Sequence, residues 1–386
     1  MSHNITAAEL IKSSKRVVIK IGSVLIADAQ TGQPKQEWLD TLAKDIKQLI
    51  DKNIQPIIVS SGAIALGRNA LNIDLDTHKN KLKLEQQQAA AAVGSIKLAE
   101  AYSKSLSKYN QQVGLVLLSP RETEQRRTHL NARSTINTML ESGIIPIINE
   151  NDTIATSEIR FGDNDRLGAR VAQMIGADTL VLLSTIDGLY TAPPETNKDA
   201  KHIPLLDKLT AEHNEMAKEN TTGLSTGGMK SKLIAAQIAM NAGCNMIIAD
   251  GRKNGSLGNL LIHSDAPRTT IFLATEKPYN ARKKWIQSHI HTNGVIHIDK
   301  GAYDALKKGG SLLPVGVKKV EGNFTRGDGV EIRDHTNNKI GYGLVAHDRS
   351  NAEKICGLRS EDAEKILGYT GREELIHRDN LVLVKQ

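Results

Sequence analysis

At 386 residues the chain is too long for one ordinary hydrophobic core, which makes two domains the natural reading. Its 39% hydrophobic and 24% charged residues fit a soluble globular protein, and no apolar run approaches the roughly 18 residues of a membrane span. The formal net charge of +7 is diffuse, with 35 Lys and Arg against 29 Asp and Glu in residues 1–290 and 15 against 14 in residues 291–386, so no basic tract singles out a nucleic acid over a small anionic substrate.

The first predicted strand, residues 16–21, is a β-branched run that ends in Lys20, Gly22 and Ser23. Gly22 lets the backbone approach a ligand closely, and Lys20 can set a point charge near a phosphate. A merely solvated lysine at a strand end is the plainer alternative. Trp38, Leu39, Leu42, Ile46, Leu49 and Ile50 then recur at helical spacing. A second strand at 56–59 opens onto Ser60-Ser61-Gly62-Ala63, small residues leading into a helix. Backbone N–H groups and the Ser61 hydroxyl there suit a carboxylate or phosphate; the alternative is a tight turn that needs small residues for packing.

After a strand at 114–118 and a helix at 131–140, the run 144–148 empties into Asn149-Glu150-Asn151-Asp152, with Gly162-Asp163-Asn164-Asp165 a short way on. Open α/β sheets bind ligands beyond the carboxyl ends of their strands. Asn149, Asp152, Asn164 and Asp165 are therefore expected to converge on one small polar molecule. Carboxylates pair with an ammonium and carboxamides donate to a carboxylate, a kit that suits a free amino acid. The competing account is a solvated Asx-rich loop. Residues 162–165 fail as a calcium loop, lacking the glycine and the distal Glu at the required spacing.

A helix at 167–175 and a strand at 179–183 follow. Gly223-Leu224-Ser225-Thr226-Gly227-Gly228-Met229-Lys230-Ser231-Lys232 then opens a helix at 229–240. This segment narrowly misses a Walker A loop: Met229 stands where that pattern demands Lys, and the polar residues 212–222 precede it in place of a strand. It still holds the elements of phosphate binding, although Thr226 capping a surface helix would look the same. A strand at 246–249 completes the alternation. Residues 1–276 are thus expected to fold as a three-layer αβα sandwich around a mostly parallel sheet. From Gly294 the texture turns to short Gly-rich runs at 295–298, 312–317, 329–332 and 340–345, the mark of a small, mainly β domain at 294–372. Residues 277–293 read as a linker and 373–386 as a tail.

Taken together these segments resemble the amino-acid kinase family, through Val18-Ile19-Lys20-Ile21-Gly22-Ser23, Ser61-Gly62-Ala63-Ile64-Ala65, Ile148-Asn149-Glu150-Asn151-Asp152, Gly162-Asp163-Asn164-Asp165 and Thr226-Gly227-Gly228-Met229 with Lys232. The second domain resembles a PUA module, through Gly301-Ala302, Ser311-Leu312-Leu313-Pro314-Val315-Gly316, Gly322-Asn323-Phe324 and Arg326-Gly327. The likeness covers roughly residues 14–370, and the combination is more specific than any single motif. Two departures are Ser23-Val24, where the family usually has Thr-Ser or Ser-Ser, and the extra Lys230.

The resemblance implies ATP-dependent phosphorylation of the side-chain carboxylate of L-glutamate. Lys20 and Lys232 would neutralise the transferring group and Asp165 would organise them. Ser61, Asn149, Asp152 and Asn164 would hold glutamate. Lys20, Gly22, Ser184, Thr185, Thr226, Gly227, Gly228, Met229, Lys230, Ser231 and Lys232 would face the nucleotide. Mg²⁺ would ride on the nucleotide phosphates, with no direct protein ligand. L-proline as a feedback inhibitor and a homo-oligomer, dimer or tetramer, are further expectations. Rivals within the family act on aspartate, acetylglutamate, carbamate or a nucleoside monophosphate, but the acidic substrate loop disfavours an acetylated amine or a phosphate-bearing substrate. PUA modules commonly serve RNA enzymes, yet near-neutral charge after residue 290 and 3% aromatics overall weigh against RNA. With Cys244 and Cys356 its sole cysteines and no apolar core in residues 1–15, the chain is expected to be cytoplasmic.

Overall fold

The computed structural model describes residues 5–72, 82–119, 123, 125–154, 164–218, 228–262, 267–278, 280–281, 283, 292–368 and 373–384. The chain divides into two compact units, residues 1–124 with 132–278, and residues 125–131 with 279–386.

The first unit is built on the strands β1 (Arg16–Ile21), β2 (Gln55–Ser60), β3 (Gln112–Leu118), β4 (Ile144–Glu150), β5 (Thr179–Ser184), β8 (Leu205–Leu206), β9 (Asn245–Asp250) and β10 (Thr269–Phe272). They form one sheet in the order β3-β4-β2-β1-β5-β9-β10-β8, and β6 (Leu189–Tyr190) pairs separately with β7 (His202–Ile203). Only the β9–β10 pair is antiparallel in the large sheet. The helices in chain order are α1 (Ala7–Ser13), α2 (Ser23–Ile26), α3 (Gln36–Ile50), α4 (Ala63–Gly67), α5 (Leu84–Leu106), α6 (Arg126–Glu141, of which residues 132–141 belong to this unit), α7 (Asn164–Ile175), α8 (Ala211–Lys218), α9 (Met229–Asn241) and α10 (Ser256–Asn259).

Alternation along β1 sorts its side chains between two cores. Val17, Ile19 and Ile21 pack with Leu39, Leu42 and Ile46 of α3 and Leu98 and Tyr102 of α5. Val18 joins the opposite core, with Val171 and Ile175 of α7 and Leu233 and Ala236 of α9. The neighbouring strands repeat the division, Ile58, Val181 and Leu183 facing the first core and Ile57, Val59, Leu180 and Leu182 the second. Three layers follow directly, as the sequence led us to expect. The 23-residue α5 was not anticipated. Its alanines and glutamines contrast too little between faces to produce a periodic signal.

In the second unit, β11 (Thr292–Ile298), β12 (Val317–Gly322), β13 (Gly329–Arg333), β14 (Lys339–Leu344) and β15 (Leu381–Leu383) form a sheet ordered β12-β11-β13-β14-β15. Every pairing is antiparallel except β11–β13. The helices α11 (Lys300–Lys307), α12 (Arg349–Ile355) and α13 (Ser360–Leu367) belong to the same unit, whose core gathers Ile296, Leu306, Val330, Ile332, Ile340, Ile355 and Ile376. The run 312–317 is not a strand. Leu312 makes an isolated bridge to Ile376, Pro314–Gly316 is a single 3₁₀ turn, and β12 begins at Val317. Proline has no N–H to offer a ladder and starts a helical turn readily, which explains the difference.

Candidate active site

Four strands that are neighbours in the sheet, β4, β2, β1 and β5, deliver the predicted residues at their carboxyl ends. Asn149 lies near the end of β4 and Asp152 just beyond it; Ser61 follows β2, Lys20 and Gly22 end β1, and Ser184 and Thr185 end β5. Strands lie about 4.8 Å apart, so the four ends span roughly 14 Å, enough for two small ligands end to end. The chain leaves β1 toward β2 and β4, then crosses to β5 on the other side of β1. Such a change of direction opens a crevice at the strand ends.

The Ser61 backbone is fixed by its N–H donating to Ile21 O at 3.0 Å. Gly62 follows at φ +110, a left-handed conformation that disfavours any side chain, and α4 starts after it. Because that N–H is already bonded and α4 has five residues, the Ser61 hydroxyl is the stronger candidate donor here than the helix end.

The centre of the site is a carboxylate held by two ammonium groups. Lys20 shares the face of β1 that carries Val18, which α7 and α9 cover. The first turn of α7 supplies Asp165 and that of α9 supplies Lys232. Lys20 Nζ stands 2.6 Å from Asp165 Oδ1 and Lys232 Nζ 3.0 Å from Asp165 Oδ2, while Ser231 Oγ donates to Oδ2 at 3.5 Å. All three charged residues are buried, Asp165 to 2% exposure. Burial alone would push its carboxyl up, but Lys20 and Lys232 outweigh it and lower the pKa to about 2. A carboxylate in the first turn of a helix also meets the positive end of the helix dipole. Two ammonium groups against one carboxylate leave an excess positive charge, which suits a transferring phosphoryl group. Gly168 allows this close approach: a Cβ there would lie 3.3 Å from Lys20 Cβ.

Asn149 is buried to 1% exposure, and its Nδ2 has no hydrogen-bond partner among the described residues. Asn164 Oδ1 is likewise buried and unpartnered among them. Buried amides normally find partners, so these two atoms, like the buried Asp152, are candidates for contact with a polar ligand. Ser184 is half-buried, its carbonyl accepting from Gly251 N–H at 2.8 Å, and Thr185 is exposed. Of the glycine-rich segment, Gly228 caps α9, Met229 has its side chain in the core, Lys230 is exposed, and Ser231 and Lys232 face Asp165. Gly162, Asp163, Thr226 and Gly227 lie outside the described residues. Among the described residues no group of three or more His, Cys, Asp or Glu is arranged to hold a metal ion, and no helix is long and apolar enough to cross a membrane. Sequence reasoning passed over Gly168, although a glycine inside a helix costs about 1 kcal/mol and so signals close packing.

A mostly parallel αβα sheet with a buried Lys–Asp–Lys centre at its carboxyl rim marks an α/β protein with a candidate site for small charged ligands. The amino acid kinase family model matches residues 15–250 and the PUA domain model residues 294–367, and the chain belongs to the amino acid kinase family. It is 49% identical, over 98% of its own length and 95% of theirs, to glutamate 5-kinase of Rhizobium rhizogenes. The glutamate 5-kinases of Brucella ovis and Bartonella henselae are each 48% identical, over 97% of both chains and over 96% and 95% respectively.

Proposed function

We propose that this chain transfers the γ-phosphoryl group of ATP to the side-chain carboxylate of L-glutamate, forming L-glutamyl 5-phosphate, the entry to proline biosynthesis. The observation that carries the reading is the Asp165 carboxylate holding Lys20 and Lys232 at 2.6 and 3.0 Å, with candidate glutamate residues on the β2 and β4 side and candidate nucleotide residues on the β5 side. Near-full-length identity to glutamate 5-kinases supports the choice of substrate within the family.

The nucleophile needs no general base, because a side-chain carboxylate of pKa about 4.3 is ionised at neutral pH. One of its oxygens bonds to the γ-phosphorus as the bond from that phosphorus to the ADP oxygen breaks, and no proton moves. Catalysis then rests on in-line positioning and on neutralising charge at the transferring group. Lys20 and Lys232 perform the neutralisation, and Asp165 keeps both ammonium groups in place. Asp152 pairs with the glutamate ammonium, and Ser61, Asn149 and Asn164 orient its carboxylates. Gly22, Ser184, Thr185 and residues 226–232 are the candidate nucleotide contacts, although the Met229 side chain lies in the core. The donor set fits Mg²⁺ carried on the nucleotide phosphates, since Asp165 is already engaged by two lysines; bound there, Mg²⁺ supplies further charge neutralisation.

This chemistry is assigned to residues 1–276, with 277–293 as linker, 294–372 as the PUA-like domain and 373–386 as tail. A cytoplasmic setting, a homo-oligomer and feedback inhibition by L-proline accompany the reading; sedimentation, and glutamate saturation with added L-proline, test the last two. The decisive test is a screen of common amino acids with ATP and Mg²⁺, trapping acyl phosphate with hydroxylamine. L-Glutamate alone gives a strong hydroxamate signal; a stronger signal with aspartate or acetylglutamate overturns the assignment.

A further inference from the structure

The turn that carries Ser61 is held from behind by a chain of hydroxyls. Ser60 ends β2 fully buried, and its Oγ donates to the Ser61 carbonyl at 3.0 Å. The same Oγ lies 3.0 Å from the hydroxyl of Tyr102, a residue of α5 that is 1% exposed. A serine hydroxyl has one hydrogen. Since that hydrogen goes to the Ser61 carbonyl, the Tyr102 O–H must donate to Ser60 Oγ, which gives the chain a direction. Burial pushes the Tyr102 phenol further up, so it stays a neutral donor at every working pH.

With its N–H on Ile21 O and its C=O on Ser60 Oγ, the Ser61 peptide is fixed at both polar ends. The helix that supplies Tyr102 also grips α4 immediately after this turn. Gly67 and Gly94 bring the two backbones together so closely that a Cβ on Gly67 would collide with the Ala90 carbonyl, and one on Gly94 with that of Ala63. The α5 helix thus registers the Ser61 turn at two points, one polar and one steric.

We infer that Tyr102 is a positioning residue for glutamate, acting through Ser60 to hold the Ser61 turn in its binding geometry. This rests on the reading that Ser61 binds glutamate. Kinetics of the full-length chain with varied glutamate and varied ATP test it, using wild type, Y102F, S60A, Y102F/S60A, S61A and S105A. Ser105 is a matched control: it is a buried hydroxyl on α5 whose partners, Gln36 and Asp40, lie on α3.

Losing one such hydrogen bond raises the glutamate KM of Y102F about fivefold, while the ATP KM is unchanged and kcat moves far less. The double variant is no worse than S60A alone, because both act through one chain. S105A lowers Tm without moving the glutamate KM. The inference fails if Y102F lowers Tm and leaves the glutamate KM at the wild-type value, or raises both KM values alike. If S61A raises the glutamate KM and Y102F does not, the relay is wrong and the substrate assignment stands. A wild-type chain that gives no glutamate-dependent turnover removes both.

Discussion

Two buried aspartates, one in each unit, do opposite jobs. Asp165 binds Lys20 and Lys232, which lie 145 and 67 residues away in the chain. Asp334, 7% exposed, accepts from the Thr336 N–H and hydroxyl and from the Asn338 N–H, two and four residues on. The local carboxylate closes the turn between β13 and β14, as Asp commonly does. The long-range one can form its contacts only after β1, α7 and α9 have assembled. A parallel sheet favours the second kind of arrangement because its strand ends share one rim, whereas a mostly antiparallel sheet sends successive ends to opposite edges.

The largest expected effect breaks that comparison at the long-range carboxylate. Asp165→Asn lowers kcat by at least about 10³-fold, since two ammonium groups lose their anchor, and Lys20→Ala or Lys232→Ala each lowers it by about 10² to 10³ with a smaller change in glutamate KM. Steady-state kinetics with glutamate varied at saturating ATP decide this; near-wild-type turnover in Asp165→Asn would refute the assembled-centre account.

The same variant has a pH signature. The folded pKa of Asp165 is depressed to about 2 from an ordinary value near 3.8. Its stabilisation is therefore fully present above the unfolded pKa, about 2 kcal/mol at neutral pH by linkage, and is lost as pH falls through about 2. Urea unfolding of wild type and Asp165→Asn should differ most at pH 7, begin to converge below about pH 4 and meet only near pH 2. A gap that stays constant with pH would mean the carboxylate is not held by charge.

Asp152→Ala sharpens the substrate side. Removing one partner of a desolvated ion pair raises the glutamate KM by roughly 30-fold or more while ATP affinity, measured separately, barely moves. A large fall in ATP affinity would shift Asp152 to the nucleotide side. Lys230→Ala should stay within about threefold of wild type, because Lys230 is exposed while Lys232 holds Asp165. At the local carboxylate, Asp334→Ala should lower Tm by a few degrees and leave glutamate kinetics unchanged. Altered turnover there would show that the second unit contributes to the chemistry.

Much was legible before any coordinates. The apolar runs at 16–21, 144–148 and 179–183 announced buried parallel strands, and the polar residues after them gave the candidate site, because both signals lie within a few consecutive residues. Amino-acid types also carried the chemistry proposed for them: carboxylates for an ammonium, lysines for a phosphoryl group. What a one-dimensional pattern lacks is phase and adjacency between elements. Lys230 and Lys232 are about 200° apart around a helix, so only the packing of α9 against α7 chose Lys232 for Asp165. Likewise β4, β2, β1 and β5 are neighbours in the sheet but not consecutive in the chain. Nor could spacing connect Ser60 to Tyr102, 42 residues on along a helix with little contrast between its faces. The chain itself determined which residues end each strand and what chemistry they can do. Tertiary structure alone decided which of them meet, because long-range contacts depend on the order of strands and the rotation of helices over them, and neither is encoded locally.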